Sequence, residues 1–142
     1  MTTRLKVYTD GGSRSNPGMA GGGVYMEDEN GQEFYREAKF LGIKTNNEAE
    51  YLAFLMAVEY LMHYELKNPG QIQSVNFFLD SKLVVEQLNR RWKIKKTELK
   101  QLAEAIWKNL SALPYSIEIK HVLREKNKLA DELANQAMDR AC

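Results

Sequence analysis

Four carboxylates stand at positions where a chain builds sites as well as surfaces. Asp10 follows the alternating stretch Leu5-Lys6-Val7-Tyr8-Thr9 and precedes Gly11-Gly12-Ser13. Asp80 directly follows the apolar run Val75–Leu79 and precedes a helical segment. Ligand sites in open α/β sheets gather beyond the carboxyl ends of strands, so both acids point to one end of a sheet. Glu50 falls in the first full turn of one helical segment, and Asp131 near the start of the last. Each also has an ordinary explanation, because an acid near a helix start complements the helix dipole and Asp-Gly is a common turn pair. Together the four suggest one carboxylate cluster. Packed carboxylates raise one another's pKa unless a cation lies between them, and hard oxygen donors suit Mg²⁺ or Mn²⁺. A zinc site is disfavoured, since His63, His121 and Cys142 are the only His and Cys in the chain. There is no G-x-S-x-G for a nucleophilic serine. Gly21-Gly22-Gly23 lacks the Lys-Ser/Thr of a phosphate loop and fits close backbone packing instead.

The elements that must position these acids follow from periodicity. Leu5 to Thr9 alternates as a strand that is expected to end at Asp10-Gly11, with a turn at Ser15-Asn16-Pro17-Gly18. Gly21 to Met26 reads as a second strand, Asn30-Gly31 as a hairpin turn, and Gln32 to Leu41 as a third strand, giving an antiparallel meander. Thr45-Asn46-Asn47-Glu48 has the form of a capping box. It opens a helix whose expected buried stripe is Ala49, Leu52, Ala53, Met56, Tyr60 and Tyr64. Val75–Leu79 reads as a strand buried on both faces. Ser81 caps a short helix to about Asn89, Thr97 begins a helix stopping before Pro114, Ser116 to Val122 is a fifth strand, and Leu129 to Met138 a closing helix. This order predicts an α/β fold, a five-stranded mixed sheet flanked by helices.

Composition narrows the class without naming a function. The 142 residues carry 20 Lys+Arg and 19 Asp+Glu, a net charge of +1, so there is no global bias towards an acidic or basic partner. At 44% hydrophobic and 27% charged, the chain has the mix of a folded domain and not of a disordered one. One domain over residues 1–142 is expected, without repeats or a linker. The single cysteine, Cys142, excludes a disulfide scaffold and fits a reducing cytoplasm. The longest apolar run, Leu52 to Val58, is too short for a membrane span, and no apolar signal region follows Met1.

The residues resemble a known family. Asp10-Gly-Gly-Ser-Arg-Ser-Asn16-Pro-Gly18, Thr45-Asn-Asn-Glu-Ala-Glu50-Tyr, Leu79-Asp80-Ser81 and Ala130-Asp131-Glu132-Leu133-Ala134 are similar to the successive motifs of type 1 ribonuclease H. The resemblance runs in order from about Lys6 to Ala137. It implies a ribonuclease H-like fold and endonucleolytic cleavage of RNA within an RNA–DNA hybrid. Two Mg²⁺ or Mn²⁺ ions would act per site, leaving 5′-phosphate and 3′-hydroxyl ends. By motif, Asp10, Glu50, Asp80 and Asp131 are the metal-binding catalytic acids, while Glu48 is the capping partner of Thr45. Asn16, Asn47 and the Gly11-Gly12-Ser13 backbone would meet the minor groove and the RNA 2′-hydroxyls, and Thr45 with Asn16 would hold a DNA phosphate.

Two departures from the family pattern bear on function. Many members carry a Gly-His-x-Gly loop before the last acid; here the stretch is His121-Val122-Leu123-Arg124-Glu125-Lys126-Asn127. His121 is read as a strand residue, and Arg124 as the better helper beside the scissile phosphate. Some relatives also insert a long basic handle where this chain has only Arg90-Arg91-Trp92-Lys93-Ile94-Lys95-Lys96. That short form still concentrates positive charge, with Trp92 placed to lie against a DNA sugar or else to anchor the turn, and with Lys82 as a backbone contact. The short form is similar to archaeal and some bacterial members, some of which also cut double-stranded RNA. Double-stranded RNA is therefore a second candidate partner. A hybrid-binding module without turnover is a rival class, disfavoured by the four intact acids. No membrane partner is expected, and the protein is taken as a cytoplasmic monomer.

Overall fold

A computed structural model describes residues 2–140, so Cys142 lies outside the described residues. The strands are β1 (Thr3–Ser13), β2 (Gly18–Glu27), β3 (Glu33–Lys44), β4 (Ile72–Leu79) and β5 (Ser116–His121). The helices are α1 (Asn46–Lys67), α2 (Lys82–Leu88), α3 (Thr97–Ser111) and α4 (Lys128–Arg140), with a 3₁₀ turn at Arg124–Lys126 before α4. The sheet order is β3-β2-β1-β4-β5. β1, β2 and β3 pair antiparallel, and β4 pairs parallel with both β1 and β5. The predicted five-stranded mixed sheet and the order of its elements are thus observed.

Glycines set how closely the helices approach. Because alternate residues of a strand face opposite sides, a Cβ on Gly22 would meet Met56 Sδ of α1 at 2.8 Å, while one on Gly23 would meet Ala130 O of α4 at 2.1 Å. α1 therefore packs on one face of β2 through Met56 and Ala53, and α4 on the other with its backbone nearly against that of the strand. The same principle corrects the expected end of β1. The strand does not turn at Asp10-Gly11 but continues to Ser13, with Asp10 opposite Gly23, Gly11 opposite Gly22 and Gly12 opposite Gly21. A Cβ on Gly11 would lie 2.1 Å from Ala49 O, so this glycine serves the approach of α1, not a turn.

α1 starts as its sequence predicts. Thr45 Oγ1 accepts from Glu48 N at 3.1 Å, and Glu48 Oε1 accepts from Thr45 N at 2.9 Å, a complete capping box. Its buried side is wider than the predicted stripe. Of that stripe Ala49, Ala53 and Met56 are buried while Leu52, Tyr60 and Tyr64 are half-buried. Tyr51, Phe54, Ala57, Val58 and Leu61 are buried beside them, because α1 is covered by the sheet on one side and by α3 on another. Leu5, Val7, Val24, Met26, Phe54 and Phe77 lie at the centre of this core. β4 is not buried on both faces, as its apolar run suggested. Val75, Phe77 and Leu79 are buried while Asn76 and Phe78 are half-buried, since α4 covers β1 to β3 and leaves β4 open. Phe78 there stacks on Tyr8 with ring centres 5.1 Å apart. Among the described residues no helix is long and apolar enough to cross a membrane.

Candidate functional site

Three separate elements bring their acids to one point. Asp10 comes from β1, Glu50 from the second turn of α1, and Asp80 from the residue after β4. Each offers a carboxylate oxygen within 4.8 Å of the other two. Asp131, in the first turn of α4, is outside this trio but shares a cleft with Asp10. The cleft is about 240 Å³, and its other walls include Gly12, Arg14, Asn46 and Arg124.

The local chemistry of each acid differs. Glu50 is buried and accepts from Gly11 N at 2.5 Å, a bond made possible by the close approach of α1 to β1. Burial pushes its carboxyl above the usual range, against the opposing pull of Gly11 N–H, Asp10 and the Arg124 charge. Asp10 is raised further, first by burial and then by the negative charges of Glu50 and Asp80. Asp80 is braced by Asn127, whose Nδ2 donates to Asp80 Oδ2 at 3.0 Å and to Thr9 O at 3.0 Å.

This donor set fits a divalent cation. Converging, part-buried carboxylates repel one another, and the raised proton affinity of Asp10 and Glu50 records a deficit of positive charge that a hard dication would supply. No histidine or cysteine lies in the trio, so every donor it offers is a hard carboxylate oxygen.

The remaining predicted residues divide into those near the cleft and those away from it. Asn16 Oδ1 accepts from Asn46 N at 3.0 Å, tying the turn after β1 to the start of α1. The Gly11 and Ser13 amides, expected to face RNA, donate instead to Glu50 Oε1 and to Asn46 Oδ1, the latter at 2.9 Å; the Gly12 amide lies between them. Thr45 caps α1, and Asn47 is half-buried in its first turn. Arg124 lines the cleft from the 3₁₀ turn. His121, the last residue of β5, is exposed and faces a groove between α2 and β5 with Lys82 and Glu86. Trp92 is 46% exposed, with Lys82 Nζ 6.0 Å from its ring centre, so it is not an anchor buried in the core. In the basic stretch both arginines are engaged: Arg90 lies over Trp107 at 3.9 Å, and Arg91 pairs with Glu86 at 2.5 Å. Lys93, Lys95 and Lys96 are exposed.

Sequence reasoning missed two residues. Asn46 buttresses the cleft rim through both its amide and its side chain, and it was legible as the first Asn of the capping motif. Asn127 is 1% exposed, and nothing in its polar surroundings marks it as buried.

A mixed sheet in the order 3-2-1-4-5, with acids from its central strands and first helix converging at one end, defines an α/β domain of the ribonuclease H type. Residues 8–137 match the reverse transcriptase-like family. The LC11 ribonuclease H1, isolated from compost and solved in complex with an RNA/DNA hybrid, superposes with a TM-score of 0.89 at 38% identity, covering 96% of this chain and 98% of that one. Ribonuclease H1 of the halophilic archaeon Halobacterium salinarum superposes at 0.87 with 32% identity, covering 96% and 98%. The bifunctional protein Rv2228c of Mycobacterium tuberculosis is 35% identical over 142 residues, 97% of this chain but 36% of its own length. The chain thus spans about a third of the mycobacterial relative. It belongs to the type 1 ribonuclease H family.

Proposed function

We propose that the protein is an endonuclease that hydrolyses the RNA strand of RNA–DNA hybrids, leaving 5′-phosphate and 3′-hydroxyl ends. The observation that carries this reading is the meeting of Asp10, Glu50 and Asp80 within 4.8 Å at the sheet end, in a chain of this family. Asp10, Glu50 and Asp80, with Asp131 as the fourth acid, would hold two Mg²⁺ or Mn²⁺ ions. When bound, two such ions ease the formation of hydroxide from water and the departure of the 3′ oxygen.

The chain's own residues do the rest. Gly11 N–H and Asn127 Nδ2 fix one oxygen each of Glu50 and Asp80, so these carboxylates need not reorganise when charge develops. Arg124 sets a fixed positive charge at the mouth of the cleft, suited to the scissile phosphate and to steadying Glu50 as an anion. Asn16, Thr45, Asn47 and the Gly12 amide would form the adjoining rim, where the 2′-hydroxyl can be read as both donor and acceptor and RNA told from DNA. Lys82 and Trp92 would follow the DNA strand beyond it. His121 lines the groove between α2 and β5 instead of this cleft and is assigned no proton-transfer role. The protein would act as a cytoplasmic monomer.

The test is cleavage of labelled RNA–DNA, RNA–RNA and DNA–DNA duplexes with and without Mg²⁺. Metal-dependent cutting of RNA in the hybrid is expected. Cutting of RNA–RNA at an equal rate would widen the substrate class, and no cutting of any duplex would leave a binding module.

A further inference from the structure

We infer that Asn127 is the residue that positions Asp80 for metal, by tying its carboxylate to the backbone of β1 and to the start of α4; this rests on the reading of Asp80 as a ligand. The side chain is 1% exposed, and its Nδ2 donates to both Thr9 O and Asp80 Oδ2 at 3.0 Å. Both partners can only accept, a carbonyl and a carboxylate, so the amide orientation is fixed by chemistry: the NH₂ must face them. Its Oδ1 is buried and has no hydrogen-bond partner among the described residues. Burying an unpaired carbonyl is unfavourable, so the acceptor half is not what the fold gains from this side chain; the donor half is. Its backbone O also accepts from Asp131 N at 3.1 Å, the first bond of α4. Asn127 thus touches β1 one residue before Asp10, holds Asp80, and opens the helix that carries Asp131. Groups that orient a metal ligand from behind typically matter about 10–100-fold in metal affinity or activity.

Asn127→Ala removes both donated bonds, and Asn127→Ser does so while keeping a residue well suited to a helix start. Manganese binding to the free protein, followed by the electron paramagnetic resonance of unbound Mn²⁺, should weaken by about tenfold or more in both variants. The kcat for hybrid cleavage should fall by a similar factor with KM for the hybrid unchanged. Folded variants that bind Mn²⁺ as tightly as the parent would overturn the inference, whatever their melting temperature. So would the unfolding of both, because Asn127 would then be holding the fold and not one carboxylate. Asp80→Asn, measured alongside, separates the two levels: unchanged Mn²⁺ binding and cleavage in that variant would remove Asp80 from the site itself.

Discussion

Asp10 is held where burial and two neighbouring anions favour its protonated form, and Glu50 shares the burial. Their folded pKa values lie above the unfolded ones, so at intermediate pH the native state binds more protons than the unfolded chain. Stability linked to these groups is fully present below the unfolded carboxylate range and is lost as pH rises through the folded values. The metal-free protein should therefore melt at a lower temperature at pH 8 than at pH 5.5, with added Mg²⁺ recovering more at the higher pH. Asp10→Asn removes the repulsion and the ligand together. In chelator at pH 8 it should melt above the parent by roughly 2–4 °C for each kcal/mol relieved. Its hybrid cleavage should fall by about a thousandfold or more, equivalent to ~4 kcal/mol of barrier. Calorimetry and a cleavage assay check the two halves, and a variant that is neither more stable nor inactive would contradict both.

At the scale of elements, Glu48 and Glu50 show how position on a helix divides labour between like residues. Glu48 reaches back to Thr45 N, whose N–H lowers its pKa, so its contribution to stability is present above the ordinary carboxylate range and lost on acidification through its folded value. Glu48→Ala should cost about 0.5–2 kcal/mol in chemical denaturation and leave cleavage largely intact; an inactive but folded variant would reverse the assignment of roles. This pair was legible in the sequence because a capping box is a local pattern. So were the strand and helix order and the convergence of Asp10, Glu50 and Asp80, which follow from periodicity and from family motifs. The continuation of β1 through Gly11 and Gly12 was not. A glycine pair after an acid reads as a turn unless one knows that Gly21, Gly22 and Gly23 lie opposite, and that α1 presses on one side. The burial of Asn127 was hidden for the same reason: its partners, Thr9 and Asp80, are distant in sequence, and polarity alone predicts exposure.

Over the whole molecule the near-zero net charge conceals a local asymmetry. With Arg90 and Arg91 engaged by Trp107 and Glu86, the free positive charge of the connection before α3 is Lys93, Lys95 and Lys96. If these three track phosphates, replacing all three by Ala should weaken hybrid binding at low salt. The log–log dependence of affinity on salt should become shallower by about one unit per lost contact, with kcat little changed. An unaltered salt slope would place the duplex elsewhere. The four proposed ligands, by contrast, are spread from residue 10 to residue 131, the last of them on the final helix of the described chain. A ribosome would release that helix only after everything before it had been made. Until α4 has emerged, the nascent polypeptide lacks Asp131, so the full set of proposed ligands can assemble only by one late docking event, when that helix settles on the sheet.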